Sequence, residues 1–288
     1  MFAVFKREFK AYMNNVYGYL FMSVLLLFCG ALVSFFNIMG RLPSIEYALY
    51  YARYVLLLMI PILCMRSMAE DRRNKTDMFY LSLPLKTSDV VLGKYFALLA
   101  VLAIPTGILC FYPLLLGLFG TVMYGGAYAS ILFFFLIGAA LMAVCQFLSS
   151  LTDNLVVAAV LGVVGTVVLC FLPTVGYVLP DTALVSFIGF AVLALLAAVV
   201  AYAVTRSFNV TAITAAALIV PLSFLYIFFG EHFAGTLPAV MEYISPFYHF
   251  KAISEYGIFT VSSFILLVSY PVFFVFLTVR SADRKRWG

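Results

Sequence analysis

The chain has 288 residues, 66% of them hydrophobic, with only 17 basic and 12 acidic side chains and a formal net charge of +5. A soluble domain carries about 25% charged and about 45–50% apolar residues. The composition therefore excludes a water-soluble globular domain and makes a bilayer the natural solvent.

In chain order, a basic N-terminus "MFAVFKREFKAYMNN" precedes an apolar run from Val16 to about Ile38. That run is longer than the roughly 7–15 residues of a signal-peptide core, so it reads as a retained first span. A span needs about 20 predominantly apolar residues. Such segments lie at about 17–38, 48–65, 94–119, 128–149, 155–172, 183–205, 211–230 and 260–280. The expected fold is an all-α polytopic membrane protein of about eight transmembrane helices. The 155–172 segment is short and glycine-rich, so six spans plus a re-entrant hairpin is the alternative.

Charge gives the expected orientation. With cytoplasmic termini and eight spans, 14 of the 17 basic residues fall inside, leaving Arg41, Arg53 and Lys251 outside. That asymmetry follows the positive-inside rule. Arg53 lies among Tyr47, Tyr50, Tyr51 and Tyr54, where an interfacial aromatic belt would let its stem snorkel toward headgroups. No expected span has a charge at its middle, which speaks against an ion-coupled carrier. Gln146 is the nearest polar candidate, and a helix–helix hydrogen bond is its expected role.

Pro61, Pro105, Pro113, Pro221 and Pro271 fall within spans and are expected to kink them. Small residues four apart, Ala158/Gly162 and Ala197/Ala201, allow close helix packing. Phe133, Phe134 and Phe135 suit either packing against lipid or contact with a hydrophobic cargo. The five cysteines are scattered through apolar runs without ligand spacing, and His232 and His249 are far apart, so no metal site is expected. The segment 231–259 is expected to be extracytoplasmic, with Phe247, Phe250, Ile253 and Gly257 on one face of an amphipathic helix beside a Lys251/Glu255 pair. A helix on the outer leaflet and a lid over an exit path are both open readings.

The densest charge lies between Arg66 and Lys94, which hold ten of the ionisable side chains. Glu70, Asp71, Arg72, Arg73, Lys75 and Asp77 alternate in sign. Met78, Phe79, Leu81, Leu83 and Leu85 follow, Pro84 interrupts any helix, and Thr87, Ser88 and Asp89 read as the capped start of the next span. A lipid anchor would favour basic residues alone. Mixed charge with apolar residues fits a protein-docking surface, while a solvated loop obeying the positive-inside rule is the plainer reading.

This loop resembles the one in ABC-2 type transporter permeases. There a glutamate-led segment, a threonine, a leucine-rich run ending in Leu-Pro and a Gly-Lys opening the third helix occur in order. Here these are Glu70, Thr76, "FYLSLPL" and "VVLGKYFALL". "FLSSLTDNLVVAAVLG" resembles the family's serine-rich turn before an apolar helix. "FKREFKAYMNNVYGYLF" is similar to its basic amphipathic helix ahead of the first span. The C-terminal "SPFYHFKAISEYGIF…FFVFLTVRSADRKRW" resembles the subgroup that includes the gliding-motility-associated permease.

The resemblance implies one permease domain over 1–288. Residues 1–16 would be a cytoplasmic interfacial helix carrying Lys6, Arg7 and Lys10, and 66–94 the loop that holds the coupling helix. Glu70, Asp71, Arg72 and Arg73 would be its charged contacts to a separate ATP-binding cassette subunit, with Thr76, Met78, Phe79 and Pro84 completing the surface. Expected partners are that ATPase, a second permease copy or homologue, lipid, and an accessory extracytoplasmic protein, with no nucleic acid. "VVLGKYF" lacks the upstream glycine and the Ser or Thr of a Walker A loop, and HExxH and GxSxG are absent. The chain is therefore expected to be no enzyme and to hold no cofactor, leaving ATP and magnesium to the partner. The expected function is substrate movement, export by the family's commoner mode, across the cell membrane. A stand-alone carrier or channel, or a permease-like assembly subunit, is the alternative.

Overall fold

The computed structural model describes residues 1–42, 44–74, 86–118, 120–205, 216–218, 220–224, 226, 228, 230–251 and 259–287. Among these there is no strand, and the backbone donors and acceptors of the apolar segments are satisfied within helices, as a bilayer demands. In chain order the helices are α1 (Phe2–Asn14), α2 (Val16–Val33), α3 (Glu46–Arg73), α4 (Thr87–Leu109), α5 (Tyr112–Leu116) and α6 (Tyr124–Ser149). Then come α7 (Leu155–Val178), α8 (Ala183–Thr205), the short α9 (Gly230–Phe233), α10 (Thr236–Ile244) and α11 (Val261–Trp287). A π-helical segment, Ser34–Met39, extends α2.

Among the described residues, six helical stretches are long and apolar enough to cross a membrane: Val16–Met39, Glu46–Arg73, Thr87–Leu116, Tyr124–Ser149, Leu155–Val178 and Val261–Asp283. Of the other two expected spans, 183–205 is helical along α8, and 211–230 falls partly outside the described residues. The stretch at 155 is a 24-residue helix and the most apolar of the six. It is longer than the sequence suggests because Pro173 is carried inside the helix.

The chain packs as two compact units, one of residues 1–169 with 249–288 and one of residues 170–248. In the first, α6 is the central helix and packs against α3, α4 and α11, while α1 lies on α4 and α2. Small residues on α6 allow this: a β-carbon at Gly138 would stand 2.6 Å from Leu102 of α4. Phe133 and Phe134 are wholly buried, and Phe133 meets Phe259 edge-on, so they serve packing. The buried Gln146 donates from Nε2 to the Val91 carbonyl at 3.1 Å, joining α6 to α4 as its sequence position suggests.

Pro61 lies inside α3. Its ring nitrogen cannot donate, which leaves the Leu57 carbonyl without its helical partner. Thr166 of α7 brings its hydroxyl to 3.1 Å from that oxygen. The approach is close because Gly162, one turn earlier, presents no side chain: a β-carbon there would meet Pro61 Cβ at 3.0 Å. In the second unit, Ser186 of α8 accepts a hydrogen bond from the Leu237 amide of α10 at 3.3 Å, while the Phe187 ring tilts against Tyr226 and Phe190 meets Phe233 edge-on.

Candidate functional site

α1 is amphipathic by spacing. Val4, Glu8 and Tyr12, each four residues after the last, are its buried stripe, while Lys6, Arg7 and Lys10 are exposed. The stripe sits on the start of α4, where a β-carbon on Gly93 would lie 3.0 Å from Val4 Cβ and 3.1 Å from the Met1 carbonyl. Glycine is thus what lets α1 reach α4. Phe2, Phe5 and Phe9 stack in series, with centroids 6.1 and 6.0 Å apart. Burial holds the Tyr12 phenol well above its ordinary range, so it stays neutral.

Beneath α1 is a buried ion cluster. Lys94, the residue after Gly93, is only 2% exposed. Its ammonium donates to the Ser67 carbonyl at 2.5 Å, pairs with Asp71 Oδ2 at 2.6 Å, and lies 3.4 Å from Glu8 Oε1. Glu8 Oε1 also receives Arg7 at 2.5 Å. Two cations and two carboxylates therefore sum to zero formal charge across α1, α3 and α4. A buried charge is costly unless it is paired and its remaining protons are satisfied. One carbonyl and two carboxylates, on two neighbouring helices, thus lie within 3.4 Å of the ammonium.

The rest of the α3 end is engaged as well. Arg66 holds Glu70, one turn on, through two bonds of 2.7 and 2.6 Å, and its guanidinium lies 4.4 Å from the centre of the Tyr17 ring on α2. Arg72 donates to the Ser150 carbonyl and pairs with Asp153 at 3.6 Å. The Ser149 hydroxyl accepts from the Ala69 amide at 3.2 Å and donates to the Met65 carbonyl at 3.3 Å, so α6 enters the α3 ladder. Ser150 Oγ reaches Ser281 Oγ of α11 at 3.1 Å. One end of α3 thus binds α1, α2, α4, α6 and the turn after α6.

The residues expected to meet a partner are therefore divided. Residues 66–73 are the last two turns of α3 and 87–94 the first turns of α4, so the helices extend into what reads as a loop. Glu70, Asp71 and Arg72 face their own chain; Arg73 is exposed, as is Asn74 after it. Thr76, Met78, Phe79 and Pro84 lie outside the described residues. So do Ile253, Glu255 and Gly257 of the expected outer helix; Phe247 and Phe250 are buried.

Sequence reasoning missed Glu8 and Lys94. The signals were present: a single acid among the cations of "FKREFK", and a lysine after glycine at the threshold of an apolar run. Arg53 also departs from expectation. It is 4% exposed, 3.8 Å above the Tyr50 ring, and donates to the Tyr54 hydroxyl at 3.2 Å. The same tyrosines that suggested a headgroup belt instead enclose the guanidinium, since cation–π contact favours that over snorkelling.

A family model described as ABC-2 family transporter protein matches residues 4–206, from α1 through the ion cluster to the end of α8. The match is at the level of the family and names no subgroup. No curated protein is similar enough to count as a match.

Proposed function

This chain belongs to the ABC-2 transporter family, and from that premise we propose how it is driven: an ATP-binding subunit docks beyond the exposed end of α3, and the ion cluster carries its motion into the bundle. The observation behind this reading is the split just described. Arg73 and Asn74 face outward at the start of 75–85, while Glu70, Asp71 and Arg72 are held by neighbouring helices. The partner's contacts are then Arg73 with Thr76, Met78, Phe79 and Pro84. Glu70 to Arg72 act one layer behind the contact, as transmitting residues.

A push on this end displaces Asp71 and, through the shared Lys94, both α4 and Glu8 of α1. Charge pairs make the three helices move as one body, because separating them would strand an ion in a dry environment. Packed helices that switch between discrete arrangements then alternate access across the membrane. In this reading the termini are cytoplasmic, the chain works beside a second permease copy, ATP and magnesium are bound by the partner, and substrate moves outward across the cell membrane. The chain contributes shape and motion and performs no catalysis.

The test is co-purification with the ATP-binding subunit in mild detergent. Arg73→Glu is expected to abolish association, and Arg73→Lys to retain it. Undiminished capture by Arg73→Glu would overturn the docking assignment.

A further inference from the structure

α3 is driven from one end and held at the other, and between the two its hydrogen-bond ladder is broken. Pro61 divides the helix into two arms. Residues 46–60 hold the caged Arg53, while residues 62–73 hold Ser67 and Asp71, which meet Lys94. α4, tied to the same cluster through Lys94, also carries a proline inside it, Pro105.

The Leu57 carbonyl, which Pro61 deprives of its amide, is met by one hydroxyl from another helix. Thr166 is wholly buried, with Oγ1 3.1 Å from the Leu57 carbonyl and 3.0 Å from the carbonyls of both Gly162 and Val163. A hydroxyl has a single hydrogen to donate. Gly162 and Val163 lie inside α7, where amides one turn on already serve their carbonyls. Leu57 has no such amide. The Thr166 bond is therefore needed by α3 and optional for α7.

We propose that Thr166 is a positioning residue for α3: its hydroxyl is the latch of a hinge at Pro61, given to the Leu57 carbonyl in one bend and returned to the Gly162 carbonyl in another. In an unbroken helix, a sharp change of bend breaks an amide–carbonyl bond, and a bilayer offers no water to replace it. At Pro61 there is no such bond to lose. When the Leu57 carbonyl swings away, the hydroxyl keeps a partner within α7, since threonine in a helix readily bonds the carbonyl one turn back. Leu57 is the one group left unserved, and that gives the hinge a resting bend. The inference takes the force that moves the hinge from the docking reading, whereas the latch is a property of this chain alone.

The latch is tested on the full chain in maltoside micelles by thermal unfolding. Thr166→Val replaces the hydroxyl with a methyl of similar size, and Pro61→Ala restores an amide to the ladder. Thr166→Val is expected to unfold at least about 2 °C below the parent. Added to Pro61→Ala, the same change is expected to cost less than half as much, because the new amide at position 61 serves Leu57. An equal loss in both backgrounds overturns the latch. Should Thr166→Val alone fail to fold, recovery on adding Pro61→Ala shows the same coupling, and continued failure refutes it. The hinge is tested in the complex with the ATP-binding subunit, by the distance between spin-labelled p-acetylphenylalanines in place of the exposed Tyr47 and Asn74. These sites are about 40 Å apart along the helix. Trapping with ATP and vanadate is expected to shift the distance by about 2 Å, as a change of about 20° between arms of about 22 and 18 Å requires. Pro61→Ala is expected to abolish the shift while the subunit is still captured. No shift in the parent, or the same shift in Pro61→Ala, overturns the hinge. If the unlabelled parent captures no subunit, the docking reading has failed, and the unfolding measurements still decide the latch.

Discussion

The two ends of the first unit differ in how they hold charge. Around Lys94, four charges from three helices are matched within 3.4 Å, and the buried ammonium also donates to the Ser67 carbonyl. Around Asn37, the amide oxygen and one carboxylate oxygen of the buried Glu46 have no partner among the described residues. Ser67 Oγ and Gln146 Oε1, beside the ion cluster, also lack a partner among the described residues, so what sets that end apart is its matched charge, which fixes helices to one another. In a chain this poor in charge, four charges gathered at one place tie α1, α3 and α4 together.

The strongest way to break the contrast is Lys94→Met. It leaves Asp71 and Glu8 facing each other in a buried site, and truncating one partner of a buried pair costs about 3–5 kcal/mol. Unfolding in mixed detergent micelles is expected to shift by that amount, and proteolysis at Lys6 and Lys10 to speed up as α1 lifts. Gly93→Val attacks the same contact sterically, since its new carbons have only the 3.0 Å to Val4 to fill. Overpacking of this kind costs about 1–3 kcal/mol, and the same two readouts check it. At the open end, Glu46→Gln replaces a carboxylate with an isosteric amide where one oxygen has no partner to lose. Its expected cost is under about 1 kcal/mol. A loss as large as that of Lys94→Met would erase the distinction between the ends.

Much of the fold is legible in sequence because apolar length and turn chemistry are local. The spans at 17–38, 48–65, 128–149 and 155–172 all lie within observed helices, and that at 260–280 misses its helix by one residue. The Arg66/Glu70 pair is legible for the same reason, being one helical turn apart. What was not legible is tertiary. Glu8, Asp71 and Lys94 are distant along the chain, and nothing in the pattern of any one segment says that they meet. Asp71 looked like part of a surface awaiting a partner because, in one dimension, its pairing with Lys94 is invisible. Arg53 misled for the converse reason. Tyrosines spaced along a helix suggest an interface, and only the fold brings Phe250 over to close the cage.

The shared Glu8 also sets an order of events during synthesis. α1 is made first, yet the lysine that neutralises its acid follows some eighty residues later. At about 5–20 residues per second, the wait is roughly four to seventeen seconds. Until α4 is inserted, the Val4, Glu8 and Tyr12 stripe of α1 has no α4 to cover it. The N-terminal helix therefore settles only after α4 is made, and its docking reports that α3 and α4 beneath it are already in place.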